Sequence, residues 1–201
     1  MPCSLREHPA RLQLRLHARP EKNTMRYART LIESSKQPLQ SDQEEYTGTM
    51  PGRVISIHTS PGSGEPMVAR NTVTAIPGHG LDGDRYCTAE GSWDAGEHKP
   101  DREVTLIESE QLEWFEHTTG QTLTAEQSRR NILTEGIELN PLVGQRFFIG
   151  AIEVEGMRLC EPCKTLQERT GLDVLPAMIG RSGLNCRIIN EGEIRIGDPV
   201  G

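Results

Sequence analysis

From residue 52 onward the hydrophobic positions fall in short runs, several alternating with polar residues and nearly all interrupted by Gly or Pro. That pattern predicts short strands rather than long helices. Val54, Ile55 and Ile57 predict a first strand, residues 68–76 a second region and residues 104–107 a third. Residues 147–149 and 152–157 read as a hairpin turning at Gly150, and residues 186–189 and 194–196 as a closing pair joined by a turn over 190–193. Helical spacing is scarce. Ser109 opens one candidate helix carrying Leu112 and Phe115, which Gly120 stops. Thr124 followed by Gln127 is a capping-box pattern for a second. A third begins after Pro162, carries Leu166 and stops at Gly171.

Such elements imply a β-rich α+β fold, a compact β-barrel with a few short helices packed outside it or plugging its ends. No internal repeat points to a solenoid or propeller. Residues 37–52 are polar and turn-rich, a linker composition that divides the chain into an N-terminal extension, residues 1–49, and a domain, residues 50–201.

Charge sharpens that division. Residues 1–36 hold 8 Lys/Arg against 3 Asp/Glu, whereas residues 37–201 hold 14 against 26. An acidic body repels phosphate backbones, so nucleic acid is not an expected partner. Mean hydropathy is -0.54 and no apolar run approaches a membrane span, so a membrane is not one either. The five cysteines are odd in number and lack the spacing of a secreted disulfide framework, which points to a reducing, cytoplasmic setting. The Arg-rich head only partly resembles a transit peptide, because Glu7, Glu21 and Glu33 interrupt it.

Three clusters carry candidate chemistry. The densest runs from Leu159 to Leu166 and contains Cys160-Glu161-Pro162-Cys163-Lys164, where a strand gives way to a helix. A thiol at a helix start beside a Lys favours its thiolate, the reactive and metal-binding form. The spacing is open to a redox dithiol, half a zinc site, a soft-metal or sulfur-carrying thiolate, or two packed cysteines. A thioredoxin-type dithiol needs more chain behind it than the 38 residues after Cys163. Zinc needs further ligands, and Cys87, Cys186, His79 and His98 are isolated. The second cluster, residues 78–86, sets three glycines around His79 and ends in Asp84 and Arg85, which could pair or meet a ligand approached by the backbone. The third joins Arg129-Arg130-Asn131 to Gly180-Arg181-Ser182-Gly183, whose guanidinium, hydroxyl and backbone N–H donors suit a phosphorylated ligand.

Taken in order, these stretches, with 104–107, 142–144 and the closing 192–200, resemble the MOSC domain, the module named after the C-terminal part of molybdenum cofactor sulfurase. The resemblance covers residues 51–201 and implies a compact β-barrel that binds the molybdenum cofactor (molybdopterin) or carries sulfur on one cysteine. That cysteine corresponds to Cys163, as metal ligand and catalytic group, with Cys160 an addition of one subgroup. Arg129 and Asn131 correspond to contacts with the cofactor's phosphate and pterin. The implied activity is reduction of an N-hydroxylated small-molecule substrate with electrons from a separate donor protein. The alternatives are a sulfur carrier served by a separate cysteine desulfurase, with a persulfide on Cys163, and a non-catalytic binding module. Nothing in the chain supports a pyridoxal phosphate site.

Overall fold

The computed structural model describes residues 51–91 and 97–201; the extension over residues 1–49 lies outside the described residues. In chain order come β1 (Gly52–Thr59), β2 (Val68–Arg70), β3 (Thr72–Ile76), β4 (Gly80–Leu81) and β5 (Val104–Glu108). Two helices follow, α1 (Ser109–Thr119) and α2 (Ala125–Ser128), then β6 (Ile132–Glu135), β7 (Arg146–Ile149) and β8 (Ile152–Leu159). The chain ends with α3 (Lys164–Thr170), α4 (Val174–Ala177), β9 (Leu184–Ile188), β10 (Gly192–Arg195) and β11 (Pro199–Val200).

Seven strands close a barrel in the order β1-β6-β5-β9-β8-β7-β11 and back to β1, with β2 added beside β1. Every pairing within it is antiparallel except β5 with β6. That parallel pair requires a crossover, which α1 and α2 supply. Alternation, shifted by an irregularity between Val54 and Ser56 in β1, puts Val54, Ile57, Val104, Leu106, Ile132, Ile149, Val154 and Leu184 into one buried cluster. The smaller sheet β10-β3-β4 adds Val73, Ala75, Leu81 and Ile194 to the same core.

β5 is buried along its whole length because it is covered twice. Ile107 joins Phe115, Leu123, Leu166, Val174 and Met178, so the helices do pack on the outside of the barrel. A fully buried phenylalanine such as Phe115 contributes about 2–3 kcal/mol of apolar transfer, more than a short helix gains from propensity.

The expected hairpin at Gly150 forms, with Gly150 at φ +60°. α1 stops at Gly120 and α3 at Gly171, each in the left-handed conformation with φ +69°. Thr124 and Gln127 complete both halves of the capping box. Ser109 does not cap α1: it is the first helical residue, and its hydroxyl donates to Glu110 instead. The expected closing pair is not a hairpin. Both edges of β9 are taken by β8 and β5 inside the barrel, so β10 pairs with β3. Residues 68–76 form two strands, because the chain leaves β1 at Asn71 for the second sheet. The two-residue strands β4 and β11 and the single turn α4 carry no sequence signal of their own.

One close approach sets the barrel end that matters below. A Cβ on Gly183, at φ +98°, would lie 1.9 Å from the Leu106 carbonyl oxygen, so only glycine lets the chain enter β9 against β5.

Candidate functional site

A row of residues crosses β1, the entry to β6, β5, β9 and β8 at one level of the barrel. The His58 N–H donates to the Asn131 carbonyl at 2.7 Å, and the Asn131 N–H to the Thr105 carbonyl at 3.0 Å. Thr105 then faces Asn185 in register, and Asn185 faces Arg158. Segments entering or leaving this row enclose a cavity of about 370 Å³.

Its lining is chemically one-sided. Thr105, Asn185, Tyr86, Pro162, Thr165 and Leu166 supply neutral wall, and Cys160 and Cys163 both reach it. Six arginines line it as well: Arg85, Arg102, Arg129, Arg130, Arg158 and Arg169. Those are six of the fourteen cations in residues 37–201, whereas only one of the twenty-six acids, Glu161, is present. Glu161 is itself occupied, accepting from the Gly180 N–H at 2.9 Å. An acidic body has gathered its positive charge in one concave place, which focuses the field on an anion.

The arginines differ in what holds them. Arg130 is a structural clamp, 8% exposed, and its guanidinium donates to the Ser182 carbonyl at 2.7 Å, the Ser182 hydroxyl at 2.8 Å and the Ser128 and Cys160 carbonyls at 3.1 Å. It thereby ties the Cys160 segment to the approach of β9. Arg129 donates to the Glu65 carbonyl and the Ser60 hydroxyl, and Arg169 to the Gly64 carbonyl, so both grip the loop after β1 through neutral oxygens. Burial, then the like charges of Arg85 and Arg169, pull the Arg129 guanidinium down from its ordinary value to about 10. It is still charged at neutral pH, against its surroundings. Arg129 also ends α2 with φ +62°, where glycine is the usual residue.

Arg158 and Arg102 are placed differently, on either side of Asp101. Arg158 Nε donates to Asp101 Oδ2 at 2.7 Å, and Arg102 Nε stands 3.9 Å from Oδ1. Burial alone would raise the Asp101 carboxyl; the hydrogen bond and charge of Arg158, with the charge of Arg102, outweigh it and hold Asp101 below its ordinary value.

The cysteines separate cleanly. Cys160 and Cys163 are partly exposed, Cys163 immediately precedes α3, and the thiols are free. Cys163 also packs on the helical cluster. Cys186 is fully buried in the barrel, and burial, with the neighbouring Cys160, pushes its thiol far up, which makes it inert. Among the described residues no group of three or more His, Cys, Asp or Glu side chains could hold a metal.

Several expected contact residues are spent on the protein. Asn131, 3% exposed, accepts from the Thr105 N–H and hydroxyl and donates to the His58 carbonyl and Asp84, which uses all of its side-chain capacity. Asp84, 2% exposed, accepts from Ser60 N–H, Tyr86 N–H, Asn131 and Arg85. Ser182 is buried under Arg130, and Arg181 lies over the Trp114 ring at 4.1 Å while bonding Gln111. None of these four lines the cavity; Arg85, Arg129, Cys160 and Cys163 do. Sequence reasoning missed Arg102, Arg158 and Arg169. The available signal was Arg158 and Arg169 flanking the two-cysteine motif in a chain otherwise rich in acids; Arg102 had none.

A closed seven-stranded barrel with helices on one side and two partly exposed thiols beside a guanidinium-lined cavity defines the class: a small β-barrel module with one cation-rich cavity. The family model for the MOSC domain matches residues 83–201, and the chain belongs to that family. Among solved structures it is similar to the YuaD protein from Bacillus subtilis, with 16% identity, a TM-score of 0.63 and coverage of 75% of this chain and 94% of that one. It is also similar to YiiM from Geobacillus stearothermophilus (20% identity, TM-score 0.56, 75% and 74% coverage) and YiiM from Escherichia coli (18%, 0.55, 74% and 68%). At these identities the likeness is one of fold. No curated protein matches the chain. No helix among the described residues is long and apolar enough to cross a membrane.

Proposed function

We propose that residues 50–201 form a molybdenum cofactor-binding domain, cytoplasmic, that reduces N-hydroxylated small molecules with electrons from a separate donor protein. The observation that carries this reading is the gathering of six arginines and two accessible thiols around one cavity in an acidic body.

The residues fit the group. A phosphate monoester needs fixed cations with unspent donors, and Arg85, Arg129 and Arg169 offer guanidiniums whose mutual repulsion an anion relieves. A soft metal held mainly by sulfur accepts one more thiolate, which Cys163 supplies. When bound, the cofactor supplies the two-electron centre. Conversion of a hydroxylamine to an amine breaks the N–O bond, consumes two electrons and two protons, and releases water. Arg130 holds the Cys160 segment in place, and the half-closed cavity limits water around the reacting group.

Protein produced with molybdate should contain near-stoichiometric molybdenum, lost in Cys163→Ser and retained in Cys186→Ala. Metal-free wild-type protein from cofactor-competent cells would sink the reading.

The two thiols on one cavity favour a second reading, a sulfur carrier loaded by a cysteine desulfurase. Attack of the Cys160 thiolate on a Cys163 persulfide would form the Cys160–Cys163 disulfide and release hydrosulfide. Cyanolysis of desulfurase-treated protein should then yield thiocyanate, and Cys163→Ser should yield none.

A further inference from the structure

We infer that the cavity carries a second anion subsite, formed by Arg158 with Arg102, and that its substrates bear a carboxylate or phosphate besides the reacting group. The inference rests on the reductase reading above for the identity of the reaction, and on separate residues for its anion.

The six arginines fall into groups held by different segments. Arg129 and Arg169 are fixed to the loop after β1, and Arg85 repels Arg129. Arg158 is instead fixed to Asp101, at the approach to β5, and Arg102 stands 3.9 Å from the same carboxylate. A cofactor with one phosphate monoester accounts for the first group. It leaves the second without an assigned ligand.

Arg158 is built for display rather than for packing. It is the penultimate residue of β8, opposite Asn185, its side chain is 46% exposed, and it spends Nε on Asp101 and Nη1 on the Leu159 carbonyl at 3.3 Å. Its Nη2 has no partner among the described residues. Asp101 anchors this guanidinium through Nε, and Arg158 lines the cavity with Nη2 unspent, the donor that carboxylate or phosphate recognition uses. Asn185 and Thr105 stand in the same row and add neutral polar wall.

The test compares three benzamidoximes with molybdenum-loaded protein and a chemical reductant: unsubstituted, para-carboxylate and para-phosphate ester. Wild-type kcat/KM should favour at least one acid over the neutral compound by about tenfold, mostly in KM, and the preference should shrink with added salt. The better acid identifies the anion. Arg158→Gln should bring the ratio close to one, whereas Asp101→Asn, which removes the competing internal carboxylate, should raise it. Arg146→Gln, on β7 away from the cavity, should leave it unchanged. Turnover of the neutral compound without any acid preference overturns this inference and leaves the reductase reading standing. No turnover of any compound overturns the reductase reading; calorimetric titration of the same compounds then decides the subsite, and equal affinities for acid and neutral forms reject it.

Discussion

Arg129 and Arg130 are adjacent in the chain, yet their replacement should have opposite consequences. Arg129→Gly removes a charge that the fold resists. The depression of the Arg129 guanidinium to about 10 corresponds to at most about 3 kcal/mol, which solvent screening at this half-buried site reduces to about 1–2. Because the folded value lies below the unfolded one, that cost is fully present below the folded value and fades as pH rises above it, so an assay at about pH 7.5 carries all of it. Glycine also relieves about 1 kcal/mol of left-handed backbone strain at φ +62°. Against these gains stand two partly exposed bonds to neutral oxygens, worth about 2–3 kcal/mol together. The net change should lie within about 1 kcal/mol of zero. Arg130→Met instead leaves buried oxygens unmet, and the low end of about 1.5–3 kcal/mol for each of the two short Ser182 bonds gives about 3 kcal/mol. For a domain of this size that is about 6–12 °C in Tm, against less than about 4 °C for Arg129→Gly. Calorimetry of the two variants reads the difference, and pyrophosphate titration reads the function. Pyrophosphate affinity should fall tenfold or more in Arg129→Gly despite its preserved Tm. A large Tm loss in Arg129→Gly, or unchanged pyrophosphate binding, refutes the reasoning.

Three further outcomes are expected. Iodoacetamide at mildly alkaline pH should label Cys160 and Cys163 in the native protein and spare Cys186 until denaturant is added, as read by peptide mass spectrometry. Gly183→Ala should abolish soluble expression or lower Tm by more than about 8 °C, because its Cβ would strike the Leu106 carbonyl; an unchanged melting curve would contradict that packing. Glu108 is buried with its carboxyl raised by desolvation, and it accepts from the Leu139 N–H at 3.1 Å. Its folded value lies above the unfolded one, so its contribution is greatest at low pH and is lost as pH rises through the folded value. Glu108→Gln, which retains the acceptor, should therefore raise Tm at neutral pH by an amount that shrinks toward zero as pH falls below the usual carboxylate range.

Local patterns were sufficient wherever a single segment decides its own conformation. Alternating apolar residues marked the strands at 54–57, 104–107 and 147–157, and the Thr124 capping box and the stops at Gly120 and Gly171 marked helix ends, because each rests on neighbours within four residues. The order of the motifs was enough for the MOSC domain and for the pair of cysteines on its cavity. Partnership between distant segments was not legible. Whether β10 pairs with β9 or β3 depends on which edges the closed barrel leaves open, and no local residue encodes that. The same holds for the site. Asn131 and Asp84 look like ligand contacts in one dimension, but barrel closure brings Thr105, His58 and Ser60 against them and consumes their hydrogen bonds. Arg102, Arg158 and Arg169 look like surface charges in the chain and become cavity wall only because β5, β8 and α3 meet at one end of the barrel. Sequence alone thus determined the longer elements, the family and which cysteines lie in one motif; tertiary structure decided the short strands and which polar groups are already satisfied, since satisfaction depends on neighbours that only folding supplies.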